Sequence, residues 1–268
     1  MHRPSWVPVE VDLSRPSAAR VYDYYLGGSH NLEVDRHMAR EAISLWPDLP
    51  AIMQSNRAFL RRSVRYVAGQ GITQFLDIGS GIPTVGNVHE VAQQADPRAR
   101  VVYVDSDPVA VAHSRAILAG DEHTAVVHAD LREPETFLED PTARATLDLD
   151  QPIAVLMVAV LHFVSDEDDP FGAVARVRDR LAPGSPLILS PASAEGRPEA
   201  AASHRKLYSR TPTPMTMRSR DEIAQFFDGF DLVDPGLVWL PLWHPDNPGA
   251  AIEQPERTTG FAGVGRRR

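Results

Sequence analysis

Three aspartates carry the chemistry most legible in this sequence: Asp77, Asp105 and Asp130 each stand where a short apolar or β-branched run gives way to a loop. The first sits in Asp77-Ile78-Gly79-Ser80-Gly81-Ile82-Pro83. Its glycines remove side chains so that a ligand can approach the backbone, and they permit turn dihedrals closed to other residues. Asp105 can accept two hydrogen bonds from ribose hydroxyls, a task suited to an ionised carboxylate. Asp130 fits either a further ligand contact or an ordinary turn or helix-cap residue. A lone Gly-x-Gly turn says little, whereas three acidic strand ends in succession point to a nucleotide-like ligand.

Other reactive side chains leave two readings each. His162 follows the longest apolar run and is either a base that takes a proton from a hydroxyl or amine, or a packed or capping histidine. Arg57 either pairs with a carboxylate through its guanidinium fork or lies on the surface. Tyr22, Tyr24 and Tyr25, followed by Gly27-Gly28, form either a lid that excludes water or a helix with core aromatics and a glycine stop. His113, His123 and His128 lack the helical pairing with a carboxylate that a metal site uses, and Asp166-Glu167-Asp168-Asp169 reads as a solvated acidic turn, so no metal is expected.

Positioning three strand ends together requires a repeated strand-helix plan, and the pattern supplies one. Residues 55–67 place Phe59, Leu60, Val64 and Val67 at helical spacing, and residues 74–78 read as a short buried strand. Helix is expected over 85–95 and 109–119, and strand over 100–105 and 124–130. The run 153–161 is apolar on both alternating faces, as a central parallel strand requires. A helix over 171–181 and a strand over 186–190 follow. Residues 192–216 are polar and proline-bearing, which suggests an excursion near a substrate entrance or a mobile loop. Ser219-Arg220-Asp221-Glu222 has the form of a capping box and opens a helix through Phe227. Residues 231–242 look like a strand pair broken at Pro235-Gly236. Such units build an open, mostly parallel sheet with helices on both faces and ligands at its carboxyl ends.

With 268 residues, 43% of them hydrophobic, the chain can bury one large core, and a single domain is expected, 1–54 as a helical or lid extension and 55–268 as the sheet-bearing core. There is no cysteine, which removes disulfides, thiolate metal sites and a cysteine nucleophile. A net charge of −9 opposes general affinity for nucleic acid. Two basic clusters, Arg57, Arg61, Arg62, Arg65 and the terminal Arg266-Arg267-Arg268, read as solvated surface and a frayed tail. No apolar run approaches the roughly 20 residues of a membrane span, and the first eight residues lack the apolar segment of a secretory signal. A cytoplasmic protein without membrane partners is expected. Nothing in the pattern speaks to oligomeric state.

On these motifs the sequence resembles the class I S-adenosylmethionine-dependent methyltransferases. More closely, it is similar to the actinobacterial S-adenosyl methyltransferase family once catalogued only as a domain of unknown function. The resemblance rests on residues 19–28, Asn56-Arg57-Ala58-Phe59-Leu60, residues 74–87, Val104-Asp105-Ser106-Asp107-Pro108, Ala129-Asp130-Leu131 and residues 158–164, with support from residues 217–220 and 226–229. It implies a Rossmann-like fold with one antiparallel C-terminal strand and S-adenosylmethionine as cofactor. Gly79, Ser80 and Gly81 would border the methionine moiety, Asp77 and Ser106 flanking the same site, and Asp105 would hold the ribose. Asp130 would meet the adenine amino group with Leu131 beside it, and the backbone of Val158, Ala159 and Val160 would lie under the sulfonium. Pro83 replaces a third glycine common in that class, and its fixed φ suits the first turn of a helix. The acceptor expected is a small molecule. Two rivals remain: a cofactor-binding regulator without transfer activity, and a nicotinamide-dependent oxidoreductase, against which stand Thr84 at the third dinucleotide-loop glycine and the presence of Asp130.

Overall fold

The computed structural model describes residues 4, 6–9, 11–83, 86–209, 211, 213–247, 249 and 251–268. Three helices come first: α1 (Ala18–Tyr25), α2 (Glu33–Leu45) and α3 (Leu49–Ala68). The alternating part follows as β1 (Gln74–Ile78), α4 (Val88–Ala95), β2 (Arg100–Asp105), α5 (Pro108–Ile117), β3 (Thr124–His128), α6 (Pro134–Leu138), α7 (Pro141–Thr146), β4 (Ala154–Val158), α8 (Pro170–Arg180) and β5 (Pro186–Ser190). Then come α9 (Pro198–Tyr208), α10 (Arg220–Gln225), β6 (Phe230–Leu232), β7 (Val238–Trp239) and β8 (Phe261–Arg267).

The main strand order is β3-β2-β1-β4-β5-β8-β6. β1 to β5 pair in parallel, and β8 runs antiparallel between β5 and β6. The order reverses between β1 and β4, so the strand ends diverge there and leave a crevice. Both faces of the sheet are covered, which explains the unbroken apolar run of β4: Val155 and Met157 join Leu76, Ile78, Val102 and Val104 on one face, while Ala154, Leu156 and Val158 join Phe75, Val101 and Tyr103 on the other.

The N-terminal helices pack through Val21, Met38, Ala42, Trp46 and Leu49, together with Leu207 and Tyr208 of α9. A buried ion pair ties α1 to α2: Arg20 Nε donates to Asp35 Oδ2 at 2.7 Å, and Asp35 also accepts from the Ser17 and Leu32 amides. The expected division at residue 54 falls inside α3, which runs unbroken from extension to core.

Several expectations need correction. The 192–216 segment is not a loop, because α9 occupies its centre, opened by Pro198 at the first helical position and buried through Ala201, His204, Leu207 and Tyr208. The helix after the glycine turn begins at Val88 behind a capping box of Asn87 and Glu90, so Pro83 lies in the loop and starts no helix; Thr84 and Val85 lie outside the described residues. β3 stops at His128 and β4 at Val158, earlier than expected, and residues 161–163 form a turn of 3₁₀ helix. The pair expected over 231–242 does not pair with itself, since β6 and β7 each bond to β8. Ser219 does cap its helix, accepting from the Glu222 amide.

The basic runs also change meaning. Arg62 is buried and donates to the Trp243 and Leu240 carbonyls, both at 2.9 Å. Arg266 and Arg267 belong to β8, which pairs there with β5 and β6, and Arg268 just beyond it donates to Asp231 Oδ1 at 2.8 Å. A frayed tail could be removed without effect, whereas β8 joins β5, β6 and β7. Deleting residues 261–268 is therefore expected to abolish cooperative unfolding, followed by circular dichroism on heating; retained cooperativity would show that the strand is dispensable.

Candidate active site

The carboxyl ends of β1, β2 and β4 open into a cleft of about 460 Å³. The turn after β1 is held from below, with the Gly79 and Ser80 amides both donating to the Val104 carbonyl at 2.8 and 3.2 Å. Gly79 has φ +72°, and a Cβ there would stand 2.4 Å from Val160 Cγ2. Conformation and space thus both require glycine. Gly81, at φ +67°, donates its amide to Asp105 Oδ2 at 2.7 Å, and the other carboxylate oxygen accepts from the Asp107 amide at 2.7 Å. Each Asp105 oxygen keeps a lone pair for a hydroxyl.

Burial dominates the titration of this end of the sheet. It pushes Asp77 up to about 7, with Arg57 working against it and Asp105 adding to it. Burial likewise raises Asp105 to about 6 despite its backbone donors. At Asp130 burial also acts upward, but bonds from the Arg132 guanidinium and amide outweigh it and hold the carboxyl below its usual range. Arg132 NH2 donates to Asp130 at 2.6 Å, so Asp130 shares its charge with a neighbour absent from the sequence reading.

The opposite wall comes from the N-terminal helices. Arg57 NH2 donates to the Gly86 carbonyl at 3.1 Å, while its buried Nε has no partner among the described residues. One residue earlier, Asn56 anchors a buried chain. Ser190 Oγ donates to Asn56 Oδ1 at 2.6 Å, and Asn56 Nδ2 donates to the Tyr22 hydroxyl at 2.9 Å. The Ala159 amide donates to Ser190 Oγ at 3.2 Å. Ala159 itself holds φ +59°, a left-handed conformation costing about 1–2 kcal/mol for a residue with a Cβ.

Behind Tyr22, Asn56, Ala159 and Phe163 lies a second, small cavity of about 60 Å³. Its walls are mostly apolar: Leu49, Ile52 and Met53 of α3, Trp46 at the end of α2, Tyr208 of α9, and Leu240. No Asp, Glu, Lys or Arg lines it among the described residues.

Of the residues singled out from sequence, Tyr22, Arg57, Asp77, Gly79, Ser80 and Gly81 all line the cleft, as do Asp105, Ser106, Asp130, Val158, Ala159 and Val160. Leu131 is buried in the core beneath the sheet end, and neither it nor Pro83 reaches the cleft surface. His162 faces the second cavity. Its Nδ1 accepts from the Ala192 amide at 3.1 Å, which occupies the lone pair a base would use, and burial takes its pKa down to about 3. Asn56, Arg132, Trp46 and His204 were not foreseen. Asn56 had a sequence signal, one position before Arg57 on a helix that meets the strand ends; the others had none.

A family model described as S-adenosyl methyltransferase matches residues 4–268. The chain belongs to this S-adenosyl methyltransferase family. The methyltransferase is similar to a DUF574 family protein from Streptomyces avermitilis, at 40% identity and TM-score 0.92 over 96% of this chain and 99% of that one. It is equally similar to a candidate methyltransferase from Thermobifida fusca, at 42% identity and TM-score 0.92 over 99% and 100%. No curated protein matches it significantly. Its cofactor is S-adenosylmethionine, and the enzyme is a methyltransferase, which sets aside the regulator and the nicotinamide-dependent oxidoreductase. The cleft fits that cofactor: the unpartnered Arg57 Nε suits a carboxylate, and the Asp105 oxygens suit paired hydroxyls.

The raised carboxyls carry a stability consequence. The folded enzyme keeps protons on Asp77 and Asp105 that the unfolded chain releases near its ordinary value of 3.8. Their contribution is therefore fully present below that value and is lost as pH rises through about 6 and about 7. Asp77→Asn is expected to flatten the fall in stability of the ligand-free enzyme between pH 5 and pH 8 by on the order of 2–4 kcal/mol. Urea unfolding at the two pH values measures this, and an unchanged slope would mean that burial does not govern Asp77.

Proposed function

We propose that this methyltransferase acts in the cytoplasm on a small-molecule acceptor, as one domain spanning 1–268, with 1–54 as a helical or lid extension that α3 carries into the core. The observation that carries this reading is the second cavity, which meets the cleft at Tyr22, Asn56, Ala159 and Phe163. Its walls come from separate elements and converge on a mostly apolar space of about 60 Å³ beside the cleft, and the cleft itself, about 460 Å³, lies within the usual ligand range of about 300–1,000 Å³. A polymer segment needs an open groove instead, and the net charge of −9 opposes a phosphate backbone. Among the described residues no helix is long and apolar enough to cross a membrane.

In this reading Asp105 holds the ribose hydroxyls with Ser106 alongside, and the Gly79, Ser80 and Gly81 backbone borders the methionine moiety, whose carboxylate Arg57 receives. Asp77 stands beneath that loop. Asp130 faces the adenine edge, braced by Arg132 and, from the core, by Leu131; Pro83 shapes the loop rather than touching the ligand. Val158, Ala159 and Val160 form the floor at the junction. When bound, S-adenosylmethionine supplies both the methyl group and its leaving group. The protein's task is then alignment and exclusion of water. Tyr22 suits that task, because burial raises its pKa and keeps the phenol neutral. His162 contributes an oriented neutral ring in the cavity wall.

Asp105→Ala is expected to weaken S-adenosylmethionine binding by about 1–3 kcal/mol through loss of charge-assisted hydrogen bonds, measured by calorimetry; unchanged affinity removes the ribose assignment. For the acceptor, S-adenosylhomocysteine formation is compared between low-molecular-weight and macromolecular fractions of a bacterial extract. Product should form with the small-molecule fraction. Turnover confined to the macromolecular fraction would defeat the small-molecule reading.

A further inference from the structure

The turn over residues 161–163, which walls the second cavity, is held from two sides. Arg218, itself buried, donates to the Leu161 and Val164 carbonyls at 2.9 Å each, and the Thr216 amide donates to the His162 carbonyl at 2.8 Å. The imidazole of His162 is fixed as well. It lies against Phe163, with ring centroids 4.3 Å apart, and its Nδ1 accepts from the Ala192 amide, a residue placed by its bridge to Gly260. A neutral imidazole whose Nδ1 accepts carries its proton on Nε2. That Nε2–H has no partner among the described residues, yet it is not one of the polar atoms sealed away from open space. His162 keeps 6% of its surface exposed, and the space that it borders is the cavity.

We infer that His162 Nε2–H is a donor of fixed direction that receives a small uncharged oxygen of the methyl acceptor, a carbonyl or ether, beside the point of transfer. This deepens the small-molecule reading and rests on it. Phe163, the next residue, lines both the cavity and the cofactor cleft, so a group held by His162 belongs to the part of the acceptor nearest the junction. The cavity of about 60 Å³ has room for about four heavy atoms, at roughly 10–15 Å³ for each water-sized group. A ring system does not fit there, whereas a carbonyl with its two substituents does.

The surroundings decide which small group enters. An ammonium brings donors to a donor, and a carboxylate finds no counter-charge, because no Asp, Glu, Lys or Arg lines the cavity among the described residues. The titratable groups around His162 keep it neutral. Burial takes its pKa down to about 3, and His204 and Arg218 push the same way; His204, edge to face with Trp46 at 5.7 Å between centroids, is itself lowered to about 4. Burial raises Tyr22, Tyr25 and Tyr208, so the phenols stay protonated. His162 thus acts as an oriented donor rather than as a base.

The test uses the full-length enzyme with nitrogen-15 in its histidines, saturated with S-adenosylhomocysteine. His162, assigned through its backbone, should carry one ring proton, on Nε2, without titrating between about pH 8 and about pH 5. Acetone, isobutene and acetate then serve as probes of one shape. Acetone should shift the Nε2 resonance saturably, with a midpoint below about 0.1 M, as weak as four heavy atoms allow; isobutene and acetate should not. A proton on Nδ1, titration within that range, no response to acetone, or a response to isobutene or acetate as large as that to acetone overturns the inference. Each of those outcomes leaves the small-molecule reading standing, and transfer to macromolecules alone removes that reading itself.

Discussion

The arrangement depends on one buried chain of hydrogen bonds, from Ser190 through Asn56 to Tyr22. It links the carboxyl end of β5 to the middle of α3 and then to α1. Separating any two of these elements would strand a buried hydroxyl or amide, at about 1–3 kcal/mol each. The Ala159 amide enters the same chain at Ser190, which helps to hold an alanine in a left-handed conformation it would otherwise leave. Strain of this kind persists only where the surroundings over-determine it. Here it fixes the floor at the junction of cleft and cavity, with Tyr22 across from it.

The two compartments on either side of that chain differ in charge, and the difference has a physical origin. The cleft sits over strand ends, where backbone amides at Gly81 and Asp107 turn towards Asp105. Such donors allow carboxylates to be buried, though at raised pKa, so the ligand-free enzyme carries two groups that oppose its own stability near neutral pH. The cavity is walled by helix faces and by connecting segments such as Ala192 and Gly260, and no Asp, Glu, Lys or Arg lines it among the described residues. Uncharged groups alone are tolerated there, which is why its histidines stay neutral.

Legibility in sequence followed the range of the interactions. The parallel strands could be read because both their faces are buried, so that apolar runs appear unbroken; the glycine turn and Asp105 could be read because they lie within a few residues of a strand end. β8 could not. Its Gly263 and Gly265 look like tail residues, yet a Cβ at either would press on Phe227, to 3.0 and 2.7 Å, and the low strand propensity of glycine hides the element. α9 was masked by its flanking prolines and polar surface, although Pro198 and its alanines were helix signals in plain view. Trp46 and His204 stand 158 positions apart in the chain, and no local pattern announces that they share a corner.

Sheet and helices therefore divide the work unequally. The cofactor's surroundings are loops tied to strand register, where a change at Gly79 collides with Val160 and a change at Asp105 releases the glycine turn. The far wall of the cavity is made of side chains projecting from α2, α3 and α9, and exchanging those for others of similar volume disturbs no strand pairing and no bond of the Ser190 chain. Acceptor choice is in this sense separable from cofactor binding. A fold shared with other methyltransferases consequently says little about the acceptor, whereas the side chains of the cavity wall bear on it directly, because they belong to the helices and not to the sheet.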